Sequence, residues 1–142
     1  MLLKQISVFA ENRRGAVLEI TKALSGAGVN IRAISIADTA EFGIVRLIVD
    51  KRAEAKAAIK EAGMAVVETD VLALEVDDTP GSLMRALELL CKNDVMIEYS
   101  YGFVSPIGGG ATIILKCDDQ EKAESCLETN GFKLLAADAV KF

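Results

Sequence analysis

Phe9-Ala10-Glu11-Asn12-Arg13-Arg14-Gly15-Ala16-Val17-Leu18 reads as the end of a strand, a polar turn closed by glycine, and the start of a helix. A second version of the plan, Val76-Asp77-Asp78-Thr79-Pro80-Gly81-Ser82-Leu83, follows about half a chain later. In each the glycine lies at the mouth of a helix, where backbone N–H groups lack an intrahelical partner and carry partial positive charge. A carboxylate or phosphate can be received there without any catalytic side chain.

The surrounding residues build the same unit around each turn. Ile6, Val8 and Ala10 alternate with Gln5 and Ser7, which predicts a strand with one face buried. After the turn, Val17, Ile20, Leu24 and Ala27 mark an amphipathic helix, ended by Gly28. Val29-Asn30-Ile31 opens a second strand, and a turn at Asp38-Thr39-Ala40-Glu41 leads to a third, Phe42 to Val49. Asp50 is placed to cap a helix whose apolar face is Ala55, Ala58, Ile59 and Ala62. Val66 to Val71 completes a βαββαβ, ferredoxin-like order.

The order then repeats. Leu72 to Val76 is a strand; Leu83, Ala86, Leu87 and Leu90 mark a helix; Val95, Ile97, Tyr99, Tyr101 and Phe103 alternate as a strand. Gly108-Gly109-Gly110 makes a hairpin turn into Ala111 to Lys116, and Phe132 to Val140 closes the unit. Asp118 and Glu121 have the spacing of a capping box for the helix carrying Ala123, Cys126 and Leu127. Ala27-Gly28-Val29-Asn30-Ile31 corresponds to Asn93-Asp94-Val95-Met96-Ile97, and Ala62-Gly63-Met64 to Asn130-Gly131-Phe132. A near-constant offset of this kind is the mark of a duplicated domain. The expected architecture is α+β: two tandem βαββαβ units, 1–71 and 72–142, with antiparallel sheets and helices on one face.

Composition narrows the function. A net charge of −5, with Arg13-Arg14 and Lys51-Arg52 as isolated pairs, disfavours a nucleic-acid partner. No apolar run approaches the roughly 20 residues of a membrane span, and the amino terminus lacks a signal-peptide pattern. Three cysteines with no C-x-x-C pair suit a cytoplasmic protein; Cys91 and Cys126 fall on apolar helix faces, where inert buried thiols are expected. The chain contains no histidine, which removes Ser-His-Asp and Cys-His catalysis and the commonest transition-metal ligand. The acidic residues sit at turns and caps without the spacing of an acid–base pair. No enzyme activity, metal or cofactor is expected.

The triple glycine lacks the G-K-[ST] ending of a phosphate loop, and Tyr99, Tyr101 and Phe103 suit packing better than base stacking. The two glycine turns are therefore the best candidates for binding. Their bare N–H groups suit an α-carboxylate, and Asn30 is the best acceptor for an α-ammonium. Asn30 and Met96 are equivalent positions of unlike chemistry, so the two units cannot bind a ligand alike.

The turns Glu11 to Gly15 and Asp77 to Gly81, with Gly28-Val29-Asn30-Ile31 and Phe42 to Asp50, resemble the ACT domain. The resemblance covers essentially the whole chain, as a tandem ACT protein with no catalytic domain attached. It implies a regulatory module that binds amino acids or other small metabolites, usually across a domain or subunit interface. By that resemblance Asn12, Arg14, Gly15, Ala16, Val17, Asn30 and Ile31 form a first site. Asp78, Pro80, Gly81, Ser82, Leu83, Met96 and Ile97 form a second. Arg14 stands where members often carry proline, and Met96 where they often carry asparagine. The expectation is a cytoplasmic, homodimeric amino-acid sensor that reports to a metabolic enzyme or other protein. The alternative is a ligand-free regulatory subunit or interaction module.

Overall fold

A computed structural model describes residues 2–38, 42–104 and 110–136. The chain divides into two compact units: Lys4–Thr69, and a second that starts at Asp70 and recruits Leu2 and Leu3. In the first, β1 (Leu3–Glu11), α1 (Ala16–Gly26), β2 (Ile31–Asp38), β3 (Phe42–Val49) and α2 (Arg52–Glu61) are followed by β4 (Ala65–Asp77). The strand order is β2-β3-β1-β4. The β1–β3 and β2–β3 pairs are antiparallel, with Val8 opposite Val45 and Ile34 opposite Leu47. Ile20 and Leu24 of α1 and Ala55 and Ile59 of α2 share one core with Ile6, Val8, Val45 and Leu47, so both helices cover the same sheet face. Each fully buried Ile or Leu in that core contributes roughly 2 kcal/mol.

The second unit repeats the plan. From the distal half of β4 the chain runs through α3 (Ser82–Lys92), β5 (Ile97–Val104), β6 (Gly110–Cys117), α4 (Gln120–Thr129) and β7 (Lys133–Leu134). The order is β5-β6-β4-β7, all antiparallel, with Leu72 opposite Leu115 and Leu74 opposite Leu134. Ala86, Leu90, Ala123 and Leu127 from the helices close on Leu72, Leu74 and Leu115. The α+β reading as two βαββαβ units holds.

Several local expectations are corrected. Val66 to Val76 is one continuous strand across the division, because nothing in it breaks an extended chain. Gln5 and Ser7 are buried, and Gln5 Nε2 donates to Ser7 Oγ at 3.1 Å; two polar side chains two apart on one strand face satisfy each other there. Lys51, not Asp50, precedes α2 as its cap residue, and no side chain caps that helix. The cap of α4 is Asp119, whose carboxylate accepts from the Lys122 N–H at 3.0 Å. Cys91 is exposed, because the buried positions of α3 are Ser82, Ala86 and Leu90 and Cys91 lies one step around the helix. The strand expected from Phe132 reaches only Leu134 within the described residues, and 137–142, Thr39-Ala40-Glu41 and Gly108-Gly109 lie outside them.

Candidate functional site

The two glycine turns have the same geometry. Gly15 has φ 86° and ψ −4°, Gly81 φ 87° and ψ −7°, both left-handed, and each is the cap residue of the helix that follows. Only glycine adopts that backbone without cost, which is why glycine ends both turns. The Ala16 N–H donates to the Arg13 carbonyl and the Ser82 N–H to the Thr79 carbonyl, both at 3.3 Å. The helices begin at Glu19 N–H to Gly15 and Arg85 N–H to Gly81. No side chain caps α1 or α3. In each first turn the next N–H groups, of Val17 and Leu18 and of Leu83 and Met84, have no intrahelical carbonyl to meet.

Side chains around the turns differ. Arg13 bridges Glu11 at 3.2 Å and Glu19 at 2.8 Å. The hydrogen bond to Glu19 raises the Arg13 pKa and, reciprocally, lowers that of Glu19. In the second turn Thr79 Oγ1 and the buried Ser82 Oγ lie 2.7 Å apart, and Arg85 Nη2 donates to Ser82 Oγ at 3.3 Å. Asn12, Arg14, Asp78 and Pro80 are exposed; Gly15, Val17, Gly81 and Leu83 are half-buried, and Ala16 is buried.

The heads of β2 and β5 match as well. Asp50 Oδ1 accepts from the Asn30 N–H at 2.8 Å, and Asp118 Oδ1 from the Met96 N–H at 2.9 Å. Ile31 and Ile97 follow, half-buried in their units' cores. Asn30 lines a cavity of about 370 Å³ with Thr21, Leu24, Ser25, Gly28, Val29 and Ile31. Met96 is 62% exposed.

The structure thus assembles each turn and each strand head, but does not bring the two together inside a unit. Asn12, Arg14, Gly15, Ala16 and Val17 stand at one end of α1, and Asn30 and Ile31 at the other. The eleven residues of α1 separate them by about 16 Å. Asp78, Pro80, Gly81, Ser82 and Leu83 are separated from Met96 and Ile97 by α3, which has the same length. One amino acid cannot touch both ends.

A second pair of cavities lies beside the turns. Beside the first turn, a cleft of about 270 Å³ is lined by Phe9, Ala10, Glu11, Arg13, Ala16 and Glu19, with Phe42 and Ala62 to Ala65 on the far side. Beside the second, an open cleft of about 260 Å³ is lined by Glu75, Val76, Asp77, Ser82 and Arg85, with Gly131 to Lys133 opposite. Equivalent positions line the two, and Glu19 corresponds to Arg85. That reversal of charge is readable by aligning the two halves.

Cys117 is buried, and desolvation pushes its thiol up to about 11. Among the described residues no helix is long and apolar enough to cross a membrane.

A family model described as an ACT domain pair matches residues 1–141. No curated protein matches the chain. Among solved structures, protein BT0572 from Bacteroides thetaiotaomicron is 34% identical, with 99% of this chain and 96% of that chain covered and a TM-score of 0.93. The ligand-free regulatory subunit of aspartate kinase from Thermus thermophilus is 17% identical, with 90% and 92% covered and a TM-score of 0.65. Its counterpart from Thermus flavus is 15% identical, with 89% and 90% covered and a TM-score of 0.59. At such identities these two likenesses speak for the fold alone.

Proposed function

The chain belongs to the ACT domain pair family, and from that premise we propose that it is a regulatory protein that binds an amino acid and signals to a partner, with 1–71 and 72–142 as its two ACT units. The observation that carries this reading is the pair of uncapped helix starts behind left-handed Gly15 and Gly81. Each presents N–H groups suited to an α-carboxylate. Because α1 holds Asn30 about 16 Å from Gly15, an amino acid bound at the turn does not also reach the strand head of the same unit. In the proposed homodimer, a turn of one protomer and a strand head of its partner make the site. Asn12, Arg14, Gly15, Ala16 and Val17 are the first unit's turn, and Asn30 and Ile31 its strand head. Asp78, Pro80, Gly81, Ser82 and Leu83 are the second unit's turn, and Met96 and Ile97 its strand head.

Ligand that bridges two units favours one arrangement over another, and this population shift is the signal. The protein acts in the cytoplasm as a homodimer and regulates a metabolic enzyme without turnover of its own. Ile34 and Ile36, 44% and 55% exposed on the edge strand β2, support side-by-side pairing.

The test is a thermal-shift screen of the protein against the amino acids. A ligand specific to the native state adds about 2.7 kcal/mol at a hundredfold excess over its dissociation constant. A shift from one or a few related amino acids, abolished by Gly15→Val or Asn30→Ala, is expected. A blank screen, with a protein partner captured instead, would establish the ligand-free interaction module.

A further inference from the structure

We propose that the edge strand β2 joins two copies of this chain, antiparallel about a twofold axis at Ser35, so that Ile34 meets the partner's Ile36 and Arg32 falls opposite the partner's Asp38. The inference rests on the homodimer reading and goes beyond it by naming the strand, the register and the unit that pairs.

β2 stands at one edge of the first unit's sheet. Its residues Arg32-Ala33-Ile34-Ser35-Ile36-Ala37-Asp38 read the same in both directions about Ser35, except that the two ends carry opposite charges. Opposed residues of antiparallel strands share a face. A copy turned about Ser35 therefore sets Ile34 on Ile36, Ala33 on Ala37 and Arg32 on Asp38, each pair occurring twice. The regular ladder of β2 runs from Ala33 to Asp38, and Arg32 lies in the bulge that ends it. Ile34 and Ile36 stand opposite Leu47 and Val45 of the core, and carry that apolar row out to the edge with 44% and 55% of their surface exposed. Between its two ends the strand has no lysine, proline or other charge, the devices that keep an edge single. Other registers spoil the match. A shift of two residues sets Ile34 opposite Asp38 or Ile36 opposite Arg32, and a shift of one turns one copy's isoleucines to the other face.

The second unit's edge strand, β5, lacks this property. Ser100 and Gly102 take the places of the two isoleucines, opposite Leu115 and Ile113. A Cβ on Gly102 would stand 2.7 Å from Ile113 Cδ1, so β6 already fills that place. Turned about Tyr101, β5 would set Glu98 opposite Val104. Pairing β2 with the β5 of another copy is worse, because Asp38 then faces Glu98 and the isoleucines face Ser100 and Gly102. Like charges directly opposite are destabilising, and they select against the wrong pairing. First unit therefore pairs with first unit, an isologous contact that closes at two copies. The pairing also suits a site shared between protomers. Ala10, Gly43 and Asp38 form one row across β1, β3 and β2. The partner's Asn30 thus lies beyond the Asp38 end of β2, the end of the sheet at which β1 runs into the Gly15 turn.

The test is sedimentation equilibrium of the full chain, with oxidative cross-linking in a Cys91→Ser background that removes the exposed thiol. The wild type is expected to be a dimer. Ile36→Lys should weaken it about tenfold or more, because the twofold axis counts each lost contact twice. Ile36 is exposed, so that variant keeps the fold. Ser35→Cys should form a disulfide with its own copy, since opposed Cα atoms about 4.5–5.5 Å apart are within disulfide reach. Tyr101→Cys, at the equivalent place in β5, should not. The proposal is overturned, with the homodimer reading left standing, if the protein is a dimer that Ile36→Lys leaves intact or that Ser35→Cys does not lock. Cross-linking of Tyr101→Cys as complete as that of Ser35→Cys overturns it in the same way. A monomeric wild type overturns both.

Discussion

The carboxylate of Asp50 accepts a 2.8 Å hydrogen bond from the backbone N–H of Asn30, twenty residues earlier, and the Asp50 N–H answers to the Asn30 carbonyl at 3.2 Å. Asp118 and Met96 repeat the exchange at 2.9 and 3.0 Å. The backbone of the strand head is thus held alike in both units, and only the side chain differs. Asn30 offers a donor and an acceptor; Met96 offers neither in comparable strength. Any polar recognition at these heads belongs to the first unit.

Asp50→Ala should accordingly cost about 1 kcal/mol in urea unfolding, because it removes the acceptor that ties β2 to the end of β3. Asn30→Ala should leave stability within about 0.5 kcal/mol, since its N–H still reaches Asp50. If amino-acid affinity falls in both variants, the head is a binding element that Asp50 positions. If Asn30→Ala alone unfolds the protein, the side chain is structural and the binding role fails.

What the sequence made legible were features whose cause is local. Gly15 and Gly81 could be placed because a left-handed turn before a helix leaves almost no other choice, and the duplication followed from matched spacings. The roles of Asp50 and Asp118 are not local. An aspartate between strand and helix looks like a cap, but each of these reaches a strand head more than nineteen residues away. Cys91 sits beside Leu90 on an apolar stretch, and helical spacing alone did not say which of the two faces the core. The turn-side cavities were invisible because their far walls, Gly63 to Ala65 and Gly131 to Lys133, arrive through the sheet from the last strands.

Asp94 has φ 57°, in the position that Gly28 fills in the first unit with φ 69°. Both are followed by the same closing bond, Val29 N–H to Leu24 and Val95 N–H to Leu90, each at 2.9 Å. A side chain in that conformation costs about 1–2 kcal/mol, less for aspartate than for most. Glycine returns part of the gain through its freer unfolded chain. Asp94→Gly should therefore stabilise the protein by about 0.5–1 kcal/mol, seen as a higher urea midpoint at unchanged slope. A lower midpoint would mean that the carboxylate has a stabilising partner that outweighs the strain.

Gly15→Ala and Gly81→Ala should each lose about 1–2 kcal/mol from backbone strain. A Cβ at Gly15 meets nothing within 4 Å, so its cost is conformational alone. At Gly81 a Cβ meets Arg85 Nη1 at 3.4 Å, ordinary contact that a flexible side chain accommodates. Similar losses in thermal unfolding would support equivalent turns. A Gly81→Ala penalty much larger than that of Gly15→Ala would show instead that Arg85 is pinned against the turn.

The three thiols should separate by reactivity and by pH. Cys91 is exposed, Cys126 is half-buried with its Sγ 4.0 Å from the Leu89 carbonyl, and Cys117 is buried. A thiol reagent applied to the native protein should modify Cys91 first, Cys126 more slowly, and Cys117 only on unfolding. Burial pushes the Cys117 thiol from its ordinary 9.0 up to about 11. As pH rises past 9, the unfolded chain releases this proton while the folded one keeps it, so the contribution is whole below about 9 and is lost through about 11. Lysines and tyrosines titrate in the same range, and the comparison that isolates Cys117 is with Cys117→Ala. The stability difference between the two proteins should shrink from pH 8 to pH 11 as the native thiol loses its advantage. A constant difference across that range would mean that Cys117 ionises as easily in the folded protein as in the unfolded chain, and that its burial is not what governs it.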